Sequence, residues 1–377
     1  MAHTDIYLAE LLEDMAGELQ GGGGKVLRIG LTTLDSEHGS SELIEAAVRA
    51  ATPGLQPVLI GEGADSGLPH YPASNLNEAH RTMEQLLQSG EIHGAVTLHY
   101  AFPLGVTTIT QIDAPATGRK MVLASTTGSS ATERKAAMLR NAVLGTALAK
   151  ASGVSEPSLG ILNVESAPQV ERGLSQLAEG GYPLQMAGSS RANGGALMRG
   201  NDLLQGSPDV MVADSLTGNL LVKLFSAFNT GGGYEATGVG YGPGLGAGVK
   251  HPICIISRAS GAPVITNALG FCAQLVRGDL IGHLNRELAL AERAGLSELC
   301  KSRQVQAQSE ESVAEPARKT VNSEIGGIDI LEVEIAKLAL WKAGIYAETG
   351  MGCTGPVLLL NRDDESQARE LVKEFTG

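Results

Sequence analysis

MVLASTTGSSATERK, residues 121–135, decides the fold, because it passes within a few residues from an apolar run to hydroxyl side chains and then to a helical pattern. It predicts a buried strand over Met121–Ala124, a turn, and a helix that contains Arg134 and Lys135. A strand that leads directly into a helix is the repeating unit of α/β proteins built on parallel sheets.

The same stretch predicts an anion site. The start of a helix presents N–H groups that lack intrahelical partners, together with the positive end of the helix dipole, and both attract phosphate. The candidate phosphate-binding residues are Ser125, Thr126, Thr127, Ser129, Ser130, Arg134 and Lys135. A helix cap rich in Ser and Thr that binds no ligand is the alternative.

Outside this stretch, short apolar runs alternate with helical segments. The runs are Val26–Leu31, Val58–Ile60, Ala95–Leu98, Met121–Ala124, Leu159–Val164, Val210–Ala213, Ile253–Ile256 and Val357–Leu360. Alternation of this kind predicts strand–helix units around a largely parallel sheet with helices on both faces, a three-layer α/β/α fold.

The composition fits a large globular protein and excludes several classes of function. Of 377 residues, 43% are hydrophobic and 18% are charged, which provides an ample core. The net charge of −13 and the scarcity of aromatic residues argue against a nucleic-acid partner. Because no stretch has the pattern of a signal peptide or a membrane span, we expect a cytoplasmic protein with no membrane partner. The four cysteines are scattered, so we expect reduced thiols, no metal and no bound cofactor.

Three segments differ from the α/β pattern. Residues 1–24 predict an N-terminal helix and a glycine tether, which leaves 25–377 for the main domain. Residues 301–322 are polar and predict an exposed insertion with no chemistry attached. Helices are predicted over Ile328–Ala343 and over Asp363–Phe375.

A second candidate site lies near the C-terminus, where Cys353 stands in the glycine-rich loop ETGMGCTGP, residues 348–356. Glycines let a ligand approach the backbone, and successive N–H groups form an anion-binding nest that lowers the pKa of a nearby thiol. We predict that Cys353 is a covalent nucleophile, with N–H groups of Gly352, Thr354 and Gly355 stabilising an oxyanion. A buried structural thiol is the alternative. A dinucleotide fingerprint is rejected, since a short apolar run rather than a helix follows the glycines.

Other segments carry weaker signals. Gly238–Gly248 is so rich in glycine that we expect its backbone to approach a ligand or another chain closely. Ser189–Arg191 is a polar cluster, and His38 follows the first strand, where either a site or a plain turn fits. On a strand, His251 and Cys254 would point to opposite faces, which argues against shared metal ligation.

Several segments together resemble the PlsX-like phosphate acyltransferases, whose fold is akin to that of phosphotransacetylase and isocitrate dehydrogenase. The matching pieces are IGLTTLDSEHG (29–39), GILNVES (160–166), PDVMVADSLTGNLLVK (208–223) and GYGPGLGAG (240–248). The last quarter departs from the acyltransferases, and its ETGMGCTGP is similar to the motif of the alpha subunits of component C of glycine/sarcosine/betaine reductase complexes.

The resemblance implies acetyl transfer. In the component C alpha subunits, the motif cysteine takes a two-carbon unit from selenoprotein component A as an acetyl thioester, which is released to phosphate as acetyl phosphate. Cys353 would be the acyl carrier, and the implied partners are the beta subunit of component C, component A, inorganic phosphate and further copies of the chain. Two alternatives stay open. One is a phosphate acyltransferase that makes acyl phosphate from acyl carrier protein, and the other is a non-catalytic structural subunit of the complex.

Overall fold

The computed structural model describes residues 26–190, 195–301, 313–326, 328, 333–352 and 355–375. Its strands are β1 (Leu27–Thr32), β2 (Leu55–Gly61), β3 (His70–Pro72), β4 (Gly94–Thr97), β5 (Thr107–Asp113), β6 (Lys120–Gly128), β7 (Ser158–Leu162), β8 (Gln185–Met186), β9 (Leu197–Met198), β10 (Val210–Val212), β11 (Gly242–Leu245), β12 (Ile253–Ile255), β13 (Ser323–Ile325), β14 (Ala347–Gly352) and β15 (Gly355–Leu360). Its helices are α1 (Ser40–Ala50), α2 (Leu76–Ser89), α3 (Arg134–Ala151), α4 (Ala167–Glu179), α5 (Gly200–Gln205), α6 (Ser215–Ala227), α7 (Ala262–Arg277), α8 (Leu280–Arg293), α9 (Leu296–Cys300), α10 (Val333–Lys342) and α11 (Glu365–Leu371).

The described chain divides into two compact units. The first takes in the described residues up to Tyr100, with Val222–Pro243 and Lys250–Ile281. Its strands lie in the order β3-β2-β1-β4-β12 and pair in parallel throughout. The first two residues of β11 pair antiparallel with β12.

Strands β1, β2 and β4 of the first unit are buried along almost their whole length. A strand with consecutive buried residues is covered on both faces, as in the parallel sheets of α/β proteins. Helices α1 and α7 pack against each other and against these strands, and α2 packs against the same strands. The first unit therefore has the layered α/β arrangement that the apolar runs predict.

The second unit contains Ala101–Leu221, Gly244–Val249 and the described residues from Gly282 onwards. Its strands lie in the order β5-β6-β10-β7-β8, with β9 also beside β7. The pairs that involve β10, β7, β8 and β9 are parallel, whereas β5 pairs antiparallel with β6 and with the last two residues of β11.

Helix α3 lies at the centre of the second unit. It packs against β5, β6 and β10 and against helices α4 and α9, and most of its residues are buried. A helix that is apolar all round belongs in the interior rather than at the surface. The N-terminus of α3, at Arg134, is therefore fixed relative to the end of β6.

The C-terminal residues of the second unit form a smaller antiparallel sheet in the order β13-β15-β14. Its apolar core consists of Ile325, Ile328, Val333, Ala336, Leu340, Ile345, Ala347, Leu358, Leu360, Ala368 and Val372. The single tryptophan, Trp341, donates a hydrogen bond from Nε1 to the carbonyl of Ala347 at 2.8 Å. This bond joins α10 to the first residue of β14.

The predicted α/β class with a largely parallel sheet is confirmed, and every predicted apolar run overlaps a strand. The helix predicted from Ile328 is described from Val333 to Lys342. The N-terminal helix and tether, residues 1–24, lie outside the described residues, as do residues 302–312 of the polar insertion. The division into a tether and one main domain over 25–377 stays a prediction. No helix in the described ranges combines the length and apolarity needed to cross a bilayer.

Candidate active site

The hydroxyl run Ser125–Gly128 belongs to strand β6 and not to a loop, which corrects the prediction from the sequence. The register of β5 against β6 shifts here, because Thr108 faces Thr127 whereas Ile109 faces Ala124. Ser125 and Thr126 are therefore the two residues of a β-bulge. Bulges redirect side chains and are common beside functional sites.

The bulge separates the predicted phosphate-binding hydroxyls into two groups. Thr126 is fully buried, and its Oγ1 lies 2.7 Å from Oγ1 of Thr108. Its hydroxyl therefore links β6 to β5. Ser125 is also buried and hydrogen-bonds to the hydroxyl of Thr107, yet it lines a cleft at the end of β6. Thr127 does not line that cleft, whereas Ser129 and Ser130 do.

The cleft has a volume of about 190 Å³ and lies entirely within the second unit, at the N-terminus of α3. Its polar lining includes Ser125, Ser129, Ser130, Thr132, Arg134 and Asp214. Its apolar lining consists of Ala131, Ala137, Met138, Leu216 and Met351. Such a lining offers hydroxyls and a guanidinium to an anion and apolar side chains to an apolar group.

Ser130 is held by helix α3. Its Oγ lies 3.0 Å from the carbonyl of Ala137 and 2.7 Å from Oδ1 of the buried Asn141. Asn141 in turn donates from Nδ2 to the carbonyl of Ala213, 3.5 Å away, at the end of β10. Because both acceptors of the Ser130 hydroxyl lie on α3, this serine fixes the loop between β6 and α3.

Arg134 and Lys135, the two predicted cations, take different positions. Arg134 lines the cleft and forms an ion pair with Glu165, in which both side chains are largely exposed. Lys135 does not line the cleft. It lies close to Cys300, where it counters the rise that burial causes in the pKa of that thiol. The cleft therefore receives one of the two predicted cations.

A second helix also begins at this cleft. Asp214 precedes α6 and caps it, because its carboxylate accepts hydrogen bonds from Thr217 N at 3.1 Å and Thr217 Oγ1 at 2.7 Å. One turn on, Gly218 packs against the backbone of Ser125 so closely that a Cβ would come within 1.7 Å of the Ser125 oxygen. Glycine at this position lets α6 start directly beside the bulge.

Most of the predicted cysteine loop, residues 348–356, lies in two paired strands rather than in a loop, which corrects that prediction. Residues 347–352 form β14 and residues 355–360 form β15, and Gly352 faces Gly355 across the antiparallel pair. Cys353 and Thr354, the predicted nucleophile and one of its supporting residues, lie outside the described residues. Their roles, and those of Gly352 and Gly355 in holding an oxyanion, stay predictions.

The β14–β15 hairpin reaches the cleft through β14. Gly350 forms an isolated bridge with Pro103, and Met351 donates from its N–H to the carbonyl of Phe102 at 3.3 Å. The Met351 side chain then lines the same cleft as Ser129 and Arg134. In the sequence, Cys353 follows Met351 by two residues.

The segments with weaker sequence signals make packing contacts and hydrogen bonds within the described part of the protein. Within Gly238–Gly248, Gly246 follows β11 and packs closely against backbone, since a Cβ on it would lie 2.3 Å from the Gly105 oxygen. Ser189 and Ser190 hold the buried Asp202, with Ser189 Oγ 2.9 Å from Oδ2 and Ser190 N 2.7 Å from Oδ1. Burial alone would raise the pKa of Asp202, but hydrogen bonds from Arg199 and Ser190 hold it well below its usual range. Arg191 lies outside the described residues.

The histidines singled out in the sequence lie in the first unit. His38 Nε2 is 3.2 Å from the carbonyl of Ala259, and its ring packs against that of Tyr234. Cys254 is buried, and a hydrogen bond with Cys272 together with burial raises the pKa of its thiol. Within the described ranges, no His, Cys, Asp and Glu side chains group in a way that would hold a metal ion.

The lining residues that sequence reasoning missed include Met138, Asn141, Asp214 and Met351. Asp214 had a local signal, because an aspartate between an apolar run and Thr217 is a helix-capping pattern. Met351 lay inside the cysteine motif without being assigned a role. Met138 and Asn141 are spaced one turn apart on α3 and have no signal beyond that spacing.

Comparison with known proteins shows the family of the chain. The family model described as "Fatty acid synthesis protein" matches residues 27–359. The chain is 46% identical over 356 residues to the glycine/sarcosine/betaine reductase complex component C subunit alpha of Peptoclostridium acidaminophilum, covering 93% of this chain and 92% of that protein. It is 26% identical over 235 residues to a phosphate acyltransferase of Thermus thermophilus, covering 52% of this chain and 70% of that protein.

Among solved structures, a branched-chain phosphotransacylase from Enterococcus faecalis V583 superposes with a TM-score of 0.49 at 14% identity, covering 67% of this chain and 100% of that chain.

The family match and the 46% identity each extend over most of the chain. The protein therefore belongs to the fatty acid synthesis protein family, on the branch of the component C alpha subunits of glycine/sarcosine/betaine reductase complexes.

Proposed function

We propose that this protein carries an acetyl group as a thioester on Cys353 and releases it to phosphate as acetyl phosphate. The observation that carries the proposal is the position of Met351. This residue lies two before Cys353 and lines the same cleft as Ser125, Ser129 and Arg134, the residues we assign to phosphate. A thioester on Cys353 and a phosphate in the cleft would then be within reach of each other.

The release step needs few groups. A phosphate oxygen attacks the thioester carbonyl carbon, the C–S bond breaks, and the sulfur leaves as a thiolate while the new C–O bond completes the acyl phosphate. The N-terminus of α3 and Arg134 would hold the phosphate charge. Backbone N–H groups beside Cys353 would stabilise the oxyanion of the tetrahedral intermediate. The carboxylate of Asp214 caps α6 and also lines the cleft, so it would repel further negative charge there.

The names of the relatives support a subunit of this kind. One is called component C subunit alpha of a reductase complex, and others are called phosphate acyltransferases. We therefore place the beta subunit of component C, selenoprotein component A and further copies of this chain among the partners. Helix α6 adds support, because it exposes the apolar side chains of Leu216, Leu220 and Leu224, which are of the kind that packs against another chain.

The size of the cleft favours a short acyl group over the fatty acyl alternative. An engineered cavity of about 150 Å³ in another protein holds a molecule of benzene. At about 190 Å³, the cleft matches the size of a small guest such as an acetyl group with a phosphate. A phosphate acyltransferase that draws fatty acyl groups from acyl carrier protein would need a longer apolar channel.

The reverse reaction provides the test. The full chain is incubated with acetyl phosphate, and the acetyl adduct is located by intact-protein and peptide mass spectrometry. We expect the adduct on the peptide that contains Cys353, and we expect added phosphate to remove it with formation of acetyl phosphate. Cys353→Ser should form no phosphate-labile adduct.

Cys300→Ser is the matched control, because Cys300 is a half-buried thiol of the same unit, with Sγ 3.7 Å from the carbonyl of Ala136. This variant should be acetylated like the wild type. Equal acetylation of the wild type and Cys353→Ser would refute the thioester proposal. It would also leave the structural-subunit alternative as the better account.

A further inference from the structure

We infer that Met351 is a specificity-determining residue that limits the length of the acyl group. The inference rests on the proposed function, since it concerns the group carried by Cys353. It follows from three observations: the division of the cleft into polar and apolar lining, the backbone anchoring of Met351, and the small volume that remains.

Several elements supply the lining of the cleft, and helix α3 supplies both polar and apolar side chains. The end of β6 and the loop that follows it supply the hydroxyls Ser125, Ser129 and Thr132. The larger apolar side chains of the lining include the buried Met138 from α3 and the partly buried Met351 from β14. An acyl chain that extends from Cys353 would meet the apolar lining, while the hydroxyls and Arg134 suit the phosphate.

Met351 is positioned by its backbone. Its N–H donates to the carbonyl of Phe102 at 3.3 Å, its neighbour Gly350 bridges to Pro103, and Met351 itself faces Pro356 across the hairpin. Contacts on both sides of β14 therefore fix the Cα of Met351 while its unbranched side chain fills the cleft. Methionine adapts its shape to irregular spaces, so the side chain can pack against a short acyl group.

The other apolar lining residues are less suited to set the limit. Leu216 is 77% exposed, so it lies at the mouth of the cleft and gives an acyl chain no firm boundary. Met138 is fully buried in the core of the second unit, so its truncation would leave a cavity and destabilise the fold. Met351 is only partly buried, so its side chain can be changed with less effect on the fold.

The test compares the rates at which acetyl, propionyl and butyryl phosphate acylate Cys353 of the full chain, followed by intact-protein mass spectrometry. In this step the thiolate attacks the carbonyl carbon, the bond to the phosphate oxygen breaks, and phosphate leaves. For Met351→Ala, which removes the side chain beyond Cβ, we expect the butyryl-to-acetyl rate ratio to rise about tenfold or more. Met351→Leu, which nearly conserves volume, should keep the wild-type ratio.

Met351→Phe makes the side chain larger instead of smaller. It provides a second test of the inference if Met351→Ala does not fold. A larger side chain should lower the propionyl-to-acetyl ratio below that of the wild type. Thermal unfolding of each variant shows whether it is folded. If wild-type Cys353 reacts with acetyl phosphate and neither variant changes the ratios, the specificity role of Met351 is wrong and the proposed function stands. If wild-type Cys353 reacts with no acyl phosphate, the proposed function fails and the inference fails with it.

Discussion

Arg134 is the positively charged side chain in the described lining of the cleft, and its partner Glu165 controls its availability. The two side chains are 46% and 81% exposed. An ion pair as exposed as this contributes about 0–1 kcal/mol. A phosphate at the N-terminus of α3 would take paired hydrogen bonds from the same guanidinium and would therefore compete with the Glu165 carboxylate.

Replacing Glu165 with glutamine should strengthen phosphate binding. The change removes the competing carboxylate charge, so we expect the KM for phosphate in acetyl phosphate formation to fall about two- to fivefold, equivalent to about 0.5–1 kcal/mol. We expect kcat to stay the same, because the carboxylate does not contact the reacting atoms. Glu179→Gln makes the same change of charge at an exposed position at the end of α4 and should leave the KM unchanged. A KM that rises in Glu165→Gln would contradict the role of Arg134.

At the scale of elements, the site depends on how closely helix α6 approaches strand β6. The atoms that crowd a Cβ on Gly218 are Ser125 O at 1.7 Å, Ser125 C at 2.8 Å and Thr126 Cα at 3.4 Å. All three belong to the backbone of the bulge. Backbone cannot turn aside as the end of a flexible side chain can, so a side chain here would push the helix and the strand apart.

Gly218→Ala should therefore destabilise the protein and disturb the cleft together. We expect the free energy of unfolding to fall by about 1–3 kcal/mol, measured by urea denaturation, because overpacking forces a shift of backbone. We also expect weaker phosphate binding, since the shift moves Ser125 and the start of α6. Gly270→Ala is the matched control. Gly270 lies on an exposed side of α7 with open space around its Cα, and alanine there should add about 0.5–1 kcal/mol of stability. Equal effects of the two substitutions would show that the close approach at Gly218 is unimportant.

Across the whole molecule, the sequence predicted those strands whose residues form a continuous apolar run, and it missed strands whose burial depends on distant segments. Buried parallel strands are continuous apolar runs, so β1, β6 and β10 were predictable. Strand β5 has the sequence TTITQID and β11 has GPGL, and both were missed. Thr107 and Thr108 of β5 are buried and hydrogen-bond to the bulge of β6, and Gly244 of β11 packs against the ring of Phe102, so neither strand has an apolar pattern.

In the candidate site, too, the residues that were predicted together are neighbours in the sequence. The hydroxyls and Arg134 were predicted together because the junction between β6 and α3 is a continuous stretch. The sequence could not show that the Thr126 hydroxyl is bonded to β5, because the register shift that buries this residue depends on how β5 pairs with β6. Asp214 and Met351 enter the cleft from segments far away in the chain, so their participation required the fold.

The stability of the molecule should depend on pH through His80. Its Nε2 lies 3.1 Å from Oγ1 of Thr97 in the first unit. Burial disfavours the charged imidazolium and, with the nearby His99, lowers the pKa of His80 to about 4 from an ordinary value of 6.5. Between these two values the unfolded chain binds a proton that the folded chain excludes, so stability is fully present above about pH 6.5 and is lost as the pH falls towards 4.

We expect this group alone to remove about 3 kcal/mol from the free energy of unfolding over that interval. Urea denaturation of the wild type and His80→Gln between pH 7 and pH 4 measures the effect, because all other titrating groups are common to both proteins. The glutamine amide can still donate to Thr97, so the variant loses little stability at pH 7, where the histidine is neutral. As the pH falls, the difference between the two proteins should shift in favour of the variant by up to the same 3 kcal/mol. Two curves that stay parallel down to pH 4 would mean that His80 is protonated as easily in the folded protein as in the unfolded chain.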